Sequence, residues 1–161
     1  MKDKEKDIIK KALLLEQEGY EFYLQTAENY QDKDVKLAFK KIAREEEKHM
    51  DWLKNLYRRM EGDEKATIDL EDPPESADIF TQKRVKPLTG SLALSVFGIS
   101  VKMEKAAIDY YKEAAASTES EEARELYNTL IEWEREHLKD FQSQYEMLQQ
   151  DWWNEQHFSP F

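Results

Sequence analysis

The sequence predicts an all-α fold, a four-helix bundle made of two helical hairpins joined by a long linker. Three observations carry that prediction. Of 161 residues, 37% are charged, with only four glycines, four prolines and a mean hydropathy of -0.90; this composition suits long helices with wet outer faces and supplies too few turns for a sheet protein. Apolar residues recur at helical rather than alternating spacing. The pattern of the first half also returns in the second. The length fits one domain, residues 1–161, large enough to bury a core.

The first helix is expected over about residues 3–30, where Ile9, Ala12, Tyr20, Tyr23 and Ala27 recur among charges and no proline interrupts from Lys2 to Tyr30. Gln31 to Asp34 is a polar turn, with Asp34 as the expected N-cap of a second helix over about 34–61. That helix carries Val35, Phe39, Ile42, Met50, Leu53 and Leu56 on its apolar side, and Gly62 stands where a helix stops. Residues 63–90 hold Pro73, Pro74, Pro87 and Gly90 and read as the linker, with Ile79 and Phe80 as an anchor onto the bundle. A third helix follows over about 91–116. Thr118 and Glu121 match a capping box for a fourth, over about 119–150. The tail 151–161, DWWNEQHFSPF, is aromatic and expected to pack.

The charge narrows the function classes. A net charge of -11 argues against nucleic acid or an anionic membrane as partner, because phosphates are bound by clustered Lys and Arg. Zero cysteines exclude disulfides, thiolate metal sites and cysteine catalysis. The start, MKDKEKD, is charged, and no apolar run approaches the ~20 residues of a membrane span. A cytoplasmic protein is expected.

Two short stretches carry the chemistry. AREEEKHMDWL and EWEREHLKDF each contain Glu-x-x-His. A shift of 88 residues lays Glu16 on Glu104, Tyr23 on Tyr111, Ala27 on Ala115, Glu46 on Glu134 and His49 on His137. At ~1.5 Å per residue, Glu16 lies about 24 Å before the first turn and Glu46 and His49 roughly 20–25 Å after it, so an antiparallel hairpin brings them level. The same arithmetic sets Glu104 level with Glu134 and His137. Each Glu-x-x-His pair shares a helix face, and six donors meet at mid-bundle. Tyr23 and Tyr111, two turns after Glu16 and Glu104, are placed to hydrogen-bond such carboxylates.

A single Glu-x-x-His is ordinarily a solvated ion pair, since glutamate is common here. The repeat, the matched glutamates and tyrosines, and the equal distances to the turns are separate coincidences that together weigh against that reading. Four buried carboxylates need compensation, and two divalent cations provide it. Mixed carboxylate and imidazole donors suit iron or manganese, with zinc as a substitute, whereas magnesium and calcium sites do not need histidine. Glu45, Glu47, Glu136, Glu18 and Glu132 are read as solvated or ion-paired, Tyr20 and Tyr110 as packing or interface residues, and His157 is unassigned. Trp52, Trp133, Trp152 and Trp153 are expected to fill the bundle surface or a subunit interface.

With EQEGYEFY, AREEEKHMDWL, MEKAAIDYY and EWEREHLKDF in place, the chain resembles the ferritin-like dimetal-carboxylate proteins, and among them the rubrerythrin-related ones. The resemblance implies a ferritin-like bundle whose hairpins are joined by a long crossover. It makes Glu16 and Glu104 terminal ligands, Glu46 and Glu134 bridges, and His49 and His137 nitrogen ligands of two irons. It implies a non-haem diiron oxidoreductase acting on hydrogen peroxide or dioxygen, and a homodimer. Two departures stand out. Rubrerythrins proper carry a cysteine-ligated iron domain, absent here, so a separate electron-donor protein is expected. They also place an extra glutamate one turn after the third-helix ligand, where this chain has Ala107, matched by Gly19 in the first half. The alternatives are a ferrous-iron oxidation or iron-handling module, and a metal-free helical interaction protein.

Overall fold

The computed structural model describes residues 2–73 and 90–156, and among them the secondary structure is entirely helical. Helix α1 spans Lys2–Asn29, α2 Lys33–Met60, α3 Gly90–Ser117 and α4 Glu121–Glu155. Buried positions on α1 fall at Ile9, Ala12, Glu16, Gly19, Tyr23 and Thr26, the alternating three- and four-residue step that keeps one stripe of a helix against its neighbours. The stripe is apolar except at Glu16 and at Thr26, whose hydroxyl donates to the Phe22 carbonyl of its own helix.

The ends of the helices fix the topology. Lys6 pairs with Glu61, so α2 ends beside the start of α1. Tyr110 donates a hydrogen bond to the Ile8 carbonyl (2.7 Å) and Thr118 to the Glu5 carboxylate (2.7 Å), so α3 ends there too. Helices α2 and α3 are therefore parallel, and their connection must travel the length of the bundle, about 40 Å for 28-residue helices. This is the expected crossover. Its first part climbs α2: Arg58 holds Asp63, Arg59 the Ala66 carbonyl, Asn55 the Thr67 carbonyl and Lys48 the Glu71 carboxylate. Trp133 of α4 then donates to the Glu71 carbonyl (2.8 Å). Ile79, Phe80, Pro74, Pro87 and His157 lie outside the described residues.

Three boundaries differ from the expectation. The N-cap of α2 is Asp32, not Asp34: its carboxylate accepts from the amides of Asp34 (2.8 Å) and Val35 (3.3 Å). Tyr30 stacks on Phe39 and closes the hairpin early, which leaves Asp34 inside the first turn, where its charge suits the helix dipole. Thr118 and Glu121 form no capping box. Ser120 caps α4 through the Ala123 amide (3.2 Å), while Thr118 accepts from the Ser120 amide and ties down Glu5. Helix α4 also runs five residues past Gln150, to Glu155, because no proline or glycine stops it before Pro160. Gly62 does end α2, at φ 99°, a left-handed conformation that glycine adopts without a Cβ penalty.

The core is in two parts. Toward the end where α1 begins, Ile9, Leu53, Leu56, Tyr127 and Leu130 pack together; toward the other, Tyr23, Phe39, Phe97 and Phe141 do so. Between them lies a buried polar layer.

Candidate metal centre

The polar layer consists of the six predicted residues. Glu16, Glu46, His49, Glu104, Glu134 and His137 are each at most 3% exposed. Donor atoms of Glu16, Glu46, His49 and Glu134 lie within 4.8 Å of one another, and so do those of Glu46, Glu104, Glu134 and His137. Glu46 and Glu134 belong to both groups. The helices hold them there because each occupies a stripe position that would otherwise be apolar, as the i, i+3 spacing of Glu46 with His49 and Glu134 with His137 requires.

Both imidazoles turn Nδ1 inward. His49 Nδ1 lies 3.4 Å from Glu16 and 3.2 Å from Glu134; His137 Nδ1 lies 3.1 Å from Glu46 and 3.2 Å from Glu134. Tyr23 and Tyr111 are hydrogen-bonded into the layer, but each to the glutamate of the facing helix. Tyr23 donates to Glu104 (2.6 Å) and Tyr111 to Glu16 (2.5 Å). Side chains lean toward the N-terminus of their own helix, and α1 and α3 are antiparallel. Tyr23 therefore leans down as Glu104 leans up to meet it, and Tyr111 meets Glu16 in the same way.

The electrostatics show what the layer needs. Burial and the neighbouring Glu134 charge push the carboxyls of Glu46 and Glu104 well above the usual range. Burial would also raise Glu134, but hydrogen bonds with Glu104, His137 and His49 hold it well below. Burial alone would lower His49; Glu16 and Glu134 reverse this and raise it to about 9. The same opposition, with Glu104 first among the raising partners, lifts His137 well above its ordinary value. Burial and the adjacent glutamates raise both tyrosines. The layer is a concentration of negative charge that must be compensated, by protons or by cations.

The residues fit a pair of cations. Four carboxylates balance two divalent ions, and the imidazoles add two neutral nitrogen donors. Glu46 Oε1, Glu104 Oε2 and Glu134 Oε1 are buried without a hydrogen bond, although Nδ1 of His137 and of His49 stand near the first and third as ion-pair contacts. Buried acceptors left unpaired are costly, and a coordinated ion would satisfy them. Beside them, between α1 and α3, is a cavity of about 20 Å³ bordered by Gly19, Glu46, Glu104 and Ala107, room for one water-sized molecule.

Three neighbours sharpen the sequence reading. Glu45, expected to be solvated or ion-paired on another helix face, is ion-paired, and its partner is the cluster itself: its Oε2 lies 2.6 Å from His137 Nε2, placed to accept from it. Trp52 and Trp133 do not fill the bundle surface; they are buried against His49, at ring-centroid distances of 5.6 and 5.2 Å. No spacing signals a contact such as Glu45 with His137, 92 residues apart. The one trace in the sequence is that the 88-residue shift lays Glu45 on Trp133, where the repeat breaks.

Comparison with known proteins agrees with this geometry. Among curated proteins none matches. A solved structure, a hypothetical protein from Pyrococcus furiosus, has a TM-score of 0.71 over 91% of this chain and 90% of its own, at 22% identity, a likeness of fold. The rubrerythrin family model matches residues 7–145, a span that includes both hairpins and all six clustered residues, and the chain belongs to the rubrerythrin family.

Proposed function

We propose that this chain is a non-haem diiron oxidoreductase that reduces hydrogen peroxide or dioxygen. The observation that carries the reading is the buried layer of four glutamates and two histidines, with carboxylate oxygens that no hydrogen bond satisfies and a water-sized cavity against them. Glu16, Glu46, Glu104, Glu134, His49 and His137 would hold the metals, Glu46 and Glu134 by virtue of their membership of both donor groups as the shared ligands. A bound iron pair supplies two electrons to a peroxide or oxygen molecule.

The chain's own residues do the rest. Tyr23 and Tyr111 each fix one oxygen of Glu104 and Glu16, leaving the other oxygen for the cluster. Gly19 and Ala107 keep side chains out of the cavity, and its size selects molecules of a few atoms. On the opposite side Trp52, Trp133 and the segment around Glu71 cover the layer and exclude water. These 161 residues hold no cysteine, so the electrons come from a donor outside them.

The test is metal content and peroxide turnover of anaerobically purified protein beside a Glu46→Ala, Glu134→Ala double variant. About two iron per chain and reductant-dependent peroxide consumption are expected in the parent, both lost in the variant. Retention of both in the variant would end the proposal. Stoichiometric ferrous oxidation with no peroxide turnover would move the reading to iron handling.

A further inference from the structure

The two halves of the site are not alike. Each histidine directs Nδ1 into the cluster and Nε2 away from it, but the two Nε2 atoms meet different surroundings. His137 Nε2 lies 2.6 Å from Glu45 Oε2, with both side chains largely buried, 2% and 12% exposed. His49 Nε2 is buried and has no hydrogen-bond partner among the described residues. Its ring instead stacks on Trp52, at 5.6 Å and 25°, and takes the edge of Trp133, at 5.2 Å and 73°. The 88-residue repeat lays Glu45 on Trp133, so the acceptor that serves one histidine is replaced by an indole at the other.

We propose that Glu45 makes the two metal positions unequal, acting as a positioning residue that fixes His137 as the stronger nitrogen donor. The inference rests on the dimetal reading above. A carboxylate accepting from Nε2–H sets the tautomer, leaves the Nδ1 lone pair facing Glu46 and Glu134, and raises the donor strength of the ring. His49 gains orientation from its two indoles but no such acceptor. Among the described residues the Nε2 side of the ring meets the two indoles and no hydrogen-bond acceptor. The position held by His137 and Glu104 therefore fills first, and the one held by His49 and Glu16 second. A pair of metals that fill in order, with different nitrogen donors, is also a pair of different reactivity. Glu45 belongs to neither donor group, so its effect reaches the ion only through the imidazole.

Titration of chelator-treated protein with cobalt(II), followed by the visible absorption of the bound ion, tests this without any turnover. The parent is expected to bind two ions in two resolved steps. Glu45→Ala should weaken the tighter step by about 10- to 100-fold, the usual effect of removing such a partner from a ligating histidine, and leave the weaker step in place. Glu45→Gln, which keeps an acceptor but loses the charge, should fall between. Glu47→Ala, on an exposed neighbouring position, should change neither step. Helical circular dichroism of the metal-free variants checks that they fold, and Glu45→Gln serves if Glu45→Ala does not. Two equal steps in the parent, or equal weakening of both steps in Glu45→Ala, would overturn the inference and leave the dimetal reading standing. A parent that binds neither cobalt nor iron would remove both.

Discussion

The metal-free protein should lose stability as the pH rises from 6.5 to 9. His49 is raised from 6.5 to about 9 because Glu16 and Glu134 outweigh its burial. A group whose pKa is higher in the fold than in the unfolded chain binds extra protons on folding, so its stabilising contribution is complete below 6.5 and disappears as the pH passes about 9. At ~1.4 kcal/mol per tenfold, the displacement of His49 corresponds to about 3 kcal/mol. His137 is raised in the same sense. Glu46 and Glu104, also raised, act in the same direction, since ionising them in the fold takes stability away above the ordinary carboxyl range. Glu134 is lowered, and its contribution is lost only in acid, outside this window. Thermal unfolding of chelated protein, followed by helical circular dichroism, should show the midpoint falling by about 6–12 °C between pH 6.5 and 9, at ~2–4 °C per kcal/mol for a chain of this size. Metal replaces these protons, so the stabilisation that added iron or cobalt gives should grow over the same interval. A chelated midpoint that stays level or rises with pH would refute the reasoning, because it would mean that the buried layer does not hold the protons its geometry requires.

Three substitutions test the parts around the layer. Tyr111→Phe leaves Glu16 Oε1 without its donor, and Tyr23→Phe does the same to Glu104; each should weaken metal binding by about 10- to 100-fold in a direct titration, and unchanged affinity in both would show that the phenols do not orient the carboxylates. Gly19→Ala puts a Cβ 3.4 Å from Glu46 Oε2, an ordinary contact at the rim of the cavity. It should preserve metal content and raise helix stability by up to ~1 kcal/mol while slowing peroxide turnover, and full turnover in this variant would remove the cavity from the oxidant's route.

The clustering of the six residues is legible in the sequence because its signals are local and repeated. Glu-x-x-His is a property of one helix face, and the distances of Glu16 and Glu46 from their turn depend only on the rise of a helix. What the sequence left open depends on how side chains lean and on which helix faces which. The tyrosine bonds were expected on the right carboxylates in kind, yet their exchange between α1 and α3 follows from an antiparallel pair with both side chains tilted toward their own N-termini. Asp32 and Asp34 both satisfy the rules for an N-cap, and the cap is Asp32, whose carboxylate reaches the amides of Asp34 and Val35. The residue beside a ligand points to another helix face, which gives Glu45 no visible tie to the site; in a bundle, that face meets the neighbouring helix, and there Glu45 pairs with His137.

The two sides of the site are bordered differently. Toward α1 and α3 the layer is bordered by Gly19 and Ala107, the two positions where a larger side chain would close the cavity. Toward α2 and α4 it is bordered by Trp52 and Trp133, which pack edge to face at 5.9 Å, with Lys48 over the Trp133 ring and the Glu71 backbone bonded to its indole nitrogen. The water-sized space against the layer lies on the first of these sides. Burial of the indoles keeps water from the other, where charges held at low dielectric interact most strongly. The repeat exchanges α1 with α3 and α2 with α4, so it matches residues within each side, Gly19 with Ala107 on one and Glu45 with Trp133 on the other. Because Trp133 replaces an acid and Glu45 stands opposite it, the sealing of one side and the unequal support of the two histidines arise from the same break in the repeat.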